Sequence, residues 1–229
     1  MTIAGFHGEI SLTDIALPLA DTSDMIQLHQ VFREAFGAAV PLVGSVAAGD
    51  VERAEIVGTF YDNVLEFLHA HHDTEDELVW PKLIARSPDQ AATVQRVAGQ
   101  HAGVLAALQL AQSRLVGWRA DPQIDSGAQL AVALATLGVE LCAHLDEEEQ
   151  VILPIAAMHM TGPEWGELPS YGMQRFGGDK IWLVLGLIQE QLSAAEIAEM
   201  ESHMPPPVLE FWTGVGKPQF QEFVTELRA

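Results

Sequence analysis

Two short runs of the chain carry the residue types that grip metal ions, Ala70-His71-x-Asp73-x-Glu75 and Ala143-His144-x-Asp146-x-Glu148. In each, an imidazole and a carboxylate stand four residues apart, which on a helix puts them on one face, one turn above each other. A proline follows each glutamate by six residues, Pro81 in the first run and Pro154 in the second. The repeat reaches further back: His29 precedes His71 by 42 residues and His101 precedes His144 by 43. Chance would have to reproduce histidine, aspartate, glutamate and proline at the same offsets twice, so a metal centre is the better reading of His29, His71, Glu75, His101, His144 and Glu148. The set mixes imidazole nitrogen with carboxylate oxygen and contains no thiolate. It suits an open, redox-capable site of the iron or manganese kind better than a closed structural zinc site. Each glutamate can bridge two ions, which leaves two histidines terminal on each.

The register has competitors. His72 and Asp76 form another pair four apart, and His69 is a third candidate. Position 72 aligns with Leu145 in the second run and position 69 with Cys142, so neither is repeated and the register 71/75 is preferred. Asp73, Glu77 and Glu149 are read as a solvated helix face, Cys142 as buried filler, and His7, His159 and His203 as residues without a role. No Gly-rich phosphate loop, nucleophile elbow or paired-cysteine motif is present.

Helices must position these groups. Asp21, Thr22 and Ser23 offer caps for a first helix bearing His29, with a kink or fraying expected near Pro41 and Gly44. Gly49-Asp50 opens a second helix that runs to Pro81, where a proline kinks or ends it. Ser87-Pro88 reads as the start of a third, with the cap at Ser87, reaching about Trp118. Asp125 and Ser126 open a fourth, apolar on most sides and so expected inside a bundle. The unit "helix with one His, then helix with His-x-x-x-Glu" is thus written twice. Two such hairpins give an all-α fold, an up-down four-helix bundle with an internal repeat, able to hold a dinuclear site between its helices. The bundle is expected over 21–160, after an irregular lead-in at 1–20. A helical, aromatic-rich C-terminal extension follows at 161–229, which begins with a capping box at Thr161-Gly-Pro-Glu164 and is too apolar to be disordered.

The formal charge of −21 disfavours nucleic acid and anionic membrane surfaces as partners. The lone Cys142 permits no internal disulfide and fits a reducing compartment. The first 20 residues lack a signal-peptide pattern, and the apolar stretches at 130–139 and 181–188 are shorter than the roughly 20 residues a membrane span needs. The expectation is a cytoplasmic protein that binds no nucleic acid and enters no membrane, with a possible homodimer formed through the C-terminal extension.

The ordered pattern His29 … His71-x-x-x-Glu75 … His101 … His144-x-x-x-Glu148, with Pro81 and Pro154 behind the two motifs, resembles the hemerythrin-like family, the HHE cation-binding domains. The resemblance covers about residues 21–160. It implies two non-haem irons joined by an oxo or hydroxo bridge, His29 and His71 on one, His101 and His144 on the other, and Glu75 and Glu148 spanning both. One departure stands out: where the oxygen carriers of the family have a further histidine one turn after the third-helix ligand, this chain has Leu105. That leaves a site of four histidines and casts doubt on reversible oxygen carriage. Two functions follow as expectations. One is the binding or sensing of O2, NO or peroxide in an oxidative or nitrosative stress response. The other is an enzyme decomposing hydrogen peroxide, and the residues leave open whether the protein is an enzyme at all.

Overall fold

The computed structural model describes residues 17–176 and 180–229, and these form helices joined by short turns, with no strand among them. His7, most of the lead-in and Asp179 lie outside the described residues. Residues 17–20 run beside the entry to the extension. Leu19 makes an isolated antiparallel bridge with Thr161, and the Ala20 N–H donates to the Met160 carbonyl at 3.0 Å.

Prolines punctuate the helices that carry the site. α1 (Ser23–Gly37) breaks at Ala38 and continues as α2 (Ala39–Gly44). Pro41 has no N–H for the carbonyl of Gly37, so an unbroken ladder is impossible there. α3 (Val51–Leu78) starts where the Asp50 side chain accepts from the Arg53 N–H at 3.0 Å, after a turn at Gly49 with φ of 78°. It stops before Val79 and resumes as α4 (Trp80–Arg86), with Pro81 in the new first turn. The third helix differs from expectation. Ser87 closes α4, its hydroxyl donating back to the Leu83 carbonyl at 2.6 Å, and α5 (Ala91–Ala98) ends at Gly99 before α6 (His101–Ala120) begins. A serine can bond backward as readily as it caps forward, and glycine is a weak helix former. α7 (Ile124–Glu147) is opened by Gln123 and Ser126. It passes through a π-helical turn at Glu148–Ile152 into α8 (Leu153–His159).

α1, α3, α6 and α7 enclose one apolar core in which Phe32, Tyr61, Leu65, Leu108, Leu134 and Leu137 are fully or nearly fully buried. Burial of each such side chain is worth about 1.5–3 kcal/mol. α1 sits tightly on α7 because position 138 is glycine: a Cβ there would lie 2.9 Å from Phe36 Cβ.

The extension comprises α9 (Gly162–Trp165), α10 (Leu168–Arg175), α11 (Ile181–Glu190), α12 (Ala194–His203), α13 (Pro206–Phe211), a π turn at Trp212–Gly216 and α14 (Lys217–Arg228). The expected capping box at Thr161 and Glu164 is present, and Ser193 with Glu196 makes a second one. Trp182, Leu183, Leu187, Trp212 and Phe220 join the same core as α1 and α3, so the extension folds onto its own chain. Gly186 allows α14 to reach α11, since a Cβ there would stand 2.2 Å from the Phe220 ring.

Candidate metal centre

Between these helices the six residues singled out by the repeat converge, joined by a seventh. His29 on α1 and His71 and Glu75 on α3 meet Glu148 of the π turn in one group. His72 and Glu75 on α3 meet His101 and His144 in another, and within each group the potential ligand atoms lie within 4.8 Å of one another. Glu75 belongs to both. Its Oε1 lies 3.5 Å from His71 Nε2 and its Oε2 3.5 Å from His101 Nε2. Glu148 Oε2 stands 3.6 Å from the Nε2 atoms of both His29 and His144. Separations of this size are too long for good hydrogen bonds. They match two ligand atoms each about 2.1 Å from a shared ion.

Unpartnered atoms make the same case. Among the described residues, the buried side-chain nitrogens and oxygens with no hydrogen-bond partner are the Nε2 atoms of His29, His71, His72, His101 and His144, both oxygens of Glu75, Glu148 Oε2, and Trp80 Nε1. All but the last belong to the cluster. Buried polar atoms in folded proteins are almost always satisfied, and so many orphans aimed at one spot fit a site for metal cations. Burial, and next the neighbouring imidazoles, push His71 and His72 well below the usual histidine range and His144 down to about 3. These rings are therefore neutral, with lone pairs free to ligate. Burial also lifts Glu75 to about 8, and lifts Glu148 well above the carboxylate range with help from Glu75. Without a cation the site resists ionising the groups that a cation would need.

A family model for the hemerythrin HHE cation-binding domain matches residues 21–156. The chain belongs to that family. No curated protein and no solved structure matches it. The hemerythrin-type domain thus spans α1 through most of α8, and the extension lies beyond it.

Two readings of the hemerythrin-type site need correction. His72, set aside because the repeat does not copy it, is 6% exposed and stacks on His101 with ring centroids 4.0 Å apart. Five imidazoles line the centre, so Leu105 does not leave it short of a fifth histidine. Leu105 itself is 36% exposed and forms no part of the cluster. The second correction concerns the acidic neighbours. Glu149, assigned to a solvated face, accepts from His29 Nδ1 at 2.9 Å and from Arg33 Nη1 at 2.7 Å. Its pKa is lowered by the His29 bond first and by Arg33. Asp76, seen only as a competitor for His72, accepts from His101 Nδ1 at 2.8 Å. Each carboxylate that follows a cluster glutamate therefore fixes an imidazole on a neighbouring helix, with Nδ1 protonated and Nε2 turned inward, a recurrent device at metal sites. Asp73 does lie outside, at 3.4 Å from Arg175, and Glu77 is 4.0 Å from the same residue.

Gln100, in the break before α6, serves His144 in the same way: its Oε1 accepts from Nδ1 at 3.0 Å while its Nε2 donates to Glu147 at 2.7 Å. Nothing in the repeat signals Gln100, because Leu28 holds the matching place before His29. Asp76 and Glu149 were findable, since both copies carry an acid at that offset and only the exact identity differs. Trp80, edge-on to His101 at 5.5 Å between ring centroids, has a buried indole N–H without an acceptor.

Proposed function

We propose that this hemerythrin-type domain holds two irons in a His5Glu2 set at the heart of an up-down four-helix bundle, and that it binds a small ligand such as O2 or NO there as a sensor of oxidative or nitrosative stress. The observation that carries the reading is the convergence of eight otherwise unpartnered donor atoms, five imidazole nitrogens and three carboxylate oxygens, on one buried spot. His29, His71, Glu75 and Glu148 would hold one ion and His72, Glu75, His101 and His144 the other, with Glu148 in reach of both. Glu75, Glu148, Asp76 and Glu149 together carry four negative charges when ionised, which balances two divalent cations in a region where uncompensated charge is costly. Two irons would supply redox-active positions for a diatomic or peroxide ligand.

The chain's own residues set what reaches those positions. The centre is buried on every side, so only a small ligand fits without displacement of the helices. Trp80 offers a donor beside His101 for an acceptor that enters with the ligand. On the opposite flank, His71 packs on Phe32, Phe32 on Phe67 and Phe67 on Phe176, with ring centroids 5.4, 5.1 and 6.0 Å apart. This contact chain ends just past α10, which makes the extension a candidate reporter of the ligand state, and it favours sensing over peroxide decomposition.

Iron-loaded protein should contain about two irons per chain and absorb in the near-ultraviolet. It should change its spectrum reversibly under O2 or NO and consume hydrogen peroxide slowly. One zinc per chain with no affinity for iron overturns the di-iron reading, and rapid sustained peroxide consumption without reversible binding replaces sensing with the enzyme.

A further inference from the structure

α7 is apolar on two opposite sides. Its inner side, Leu130, Leu134, Leu137 and Leu141, is buried in the core. Its outer side carries Ala128, Val132, Ala135, Val139 and Cys142, at successive spacings of four and three that keep a seam on one side of a helix. Val132 is 66% and Val139 73% exposed. A helix apolar all round belongs in an interior. The helical run from Ile124 to His159 is long and apolar enough by composition to cross a membrane, yet only 50% of its most apolar 18-residue window is buried within the chain. Beside the seam a shallow open groove of about 360 Å³ runs between α6 and α7, and Leu110 on its rim is 50% exposed.

Charge indicates what covers this face. The chain carries a net −21, yet from Gly103 to Gly117 and from Gly127 to Val139 the sole charged residue is Arg114. Two copies of so acidic a protein repel each other over most of their surfaces and approach freely only where the surface is neutral.

We propose that the outer seam of α7 is the contact between two copies of this chain, packed antiparallel about Ala135. In such a two-fold contact, residue i meets j and j meets i. The numbering then sets Ala135 against its own copy, Ala128 against the second copy's Cys142, and Val132 within one residue of the second copy's Val139. Large residues meet near the middle and small ones at the crossing and the ends. The same arrangement keeps both α6 helices on one side of the seam. Arg114, which lines the groove together with Ala128, Gln129 and Val132, then comes beside the second copy's Glu140. A parallel pairing would leave Arg114 level with uncharged residues and set Asp146 against Asp146. The contact lies on α7 and not on the extension, whose Trp182, Trp212 and Phe220 are buried in the chain's own core.

The full-length protein decides the matter by light scattering and sedimentation. The expected result is a particle of twice the 24.8 kDa chain mass. The double variant Val132→Glu with Val139→Glu should raise the dimer dissociation constant at least about a hundredfold, since it buries like charges at the seam. Val51→Glu, at a position 60% exposed on the far end of α3, should leave the dimer intact. Far-ultraviolet circular dichroism and iron content should be unchanged in all of these, because the sites face solvent in the single chain. In a Cys142→Ser background, Ala135→Cys should form an intermolecular disulfide under mild oxidation, and Arg114→Glu should weaken the dimer until Glu140→Arg in the same chain restores it. A wild-type chain that stays monomeric at high micromolar concentration overturns the proposal, as does a dimer indifferent to the glutamates. A chain that floats with neutral phosphatidylcholine vesicles through this face also overturns it, and Ala135→Cys failing to cross-link an intact dimer rules out the antiparallel arrangement.

Discussion

Where the first motif has His72, buried against His101, the second has Leu145, buried in the apolar core, and the metal centre is correspondingly uneven. One group of donors holds two histidines and two glutamates, the other three histidines and the shared Glu75. The two prolines act differently as well. Before Pro81 the helix stops and restarts around Val79. Ahead of Pro154 it widens into a π turn that begins at Glu148 itself, so the run from α7 to α8 is never interrupted. A π turn inserts a residue without breaking the helix and is frequent at functional sites. Similar sequence motifs thus need not contribute equally, because the donors on α3 and those on α7 and its π turn have different neighbours.

Removal of the shared glutamate should have the largest effect. Glu75→Ala touches both donor groups and should abolish nearly all iron binding, measured as iron per chain after reconstitution. Glu148→Ala should follow closely, whereas Asp73→Ala, outside the cluster, should retain two. Equal losses from Asp73→Ala and Glu75→Ala would show that the cluster is not where iron binds.

Making the first motif resemble the second comes next. His72→Leu should reduce the content from about two irons to about one while preserving the fold, because only the group with His101 and His144 loses a donor. Two tightly held irons in this variant would reduce His72 to a packing residue.

The outer carboxylates should weigh less. Asp76→Ala and Glu149→Ala each leave the donors in place but release His101 or His29 from its orienting partner, and about a 10- to 100-fold loss of metal affinity is expected. Competition with a chelator measures it. If neither variant differs from Glu77→Ala, the hydrogen bonds have no part in metal binding.

Smaller still is a pH effect confined to the metal-free protein. Folded Glu75 keeps its proton up to about 8, whereas in the unfolded chain it ionises at the ordinary 4.5. Between pH 6.5 and 8 the unfolded state therefore binds fewer protons, and stability falls as pH rises, by at most about 1.4 kcal/mol per pH unit per proton. Below 6.5 the lowered His144, at about 3, works in the opposite sense, since the unfolded imidazole gains a proton that the folded one refuses. Thermal melts of metal-free protein should show the decline above 6.5, and iron should remove it by holding the carboxylates ionised. A metal-free protein that gains stability from 6.5 to 8 would contradict the buried protonated glutamate.

Much of the centre was legible because helix geometry converts spacing into direction. Residues four apart share a face whatever surrounds them. His71 with Glu75 and His144 with Glu148 therefore needed only the knowledge that the segments are helical. His29 and His101 needed the repeat as well. His72 was not legible in this way: a residue one position on turns by about 100°, and whether that direction points to solvent, core or metal depends on which helix lies there. α6 lies there, starting at His101 after a break that the Ser87-Pro88 signal gave no reason to expect. Gln100 owes its place to the same break.

What the sequence by itself determined is the helical class, the proline punctuation, the family and six converging donors, all of which follow from local periodicity and from identity at fixed offsets. Only the tertiary structure decided that His72 joins the cluster, that the acids repeated at Asp76 and Glu149 reach imidazoles on other helices, as Gln100 does from the break before α6, and that Trp182, Trp212 and Phe220 of the extension pack into the core while Val132 and Val139 on the outer face of α7 stay exposed. These are contacts between residues 25 to 120 positions apart or more. No short-range pattern encodes such contacts, because they are settled by which faces remain to be buried once every helix has formed.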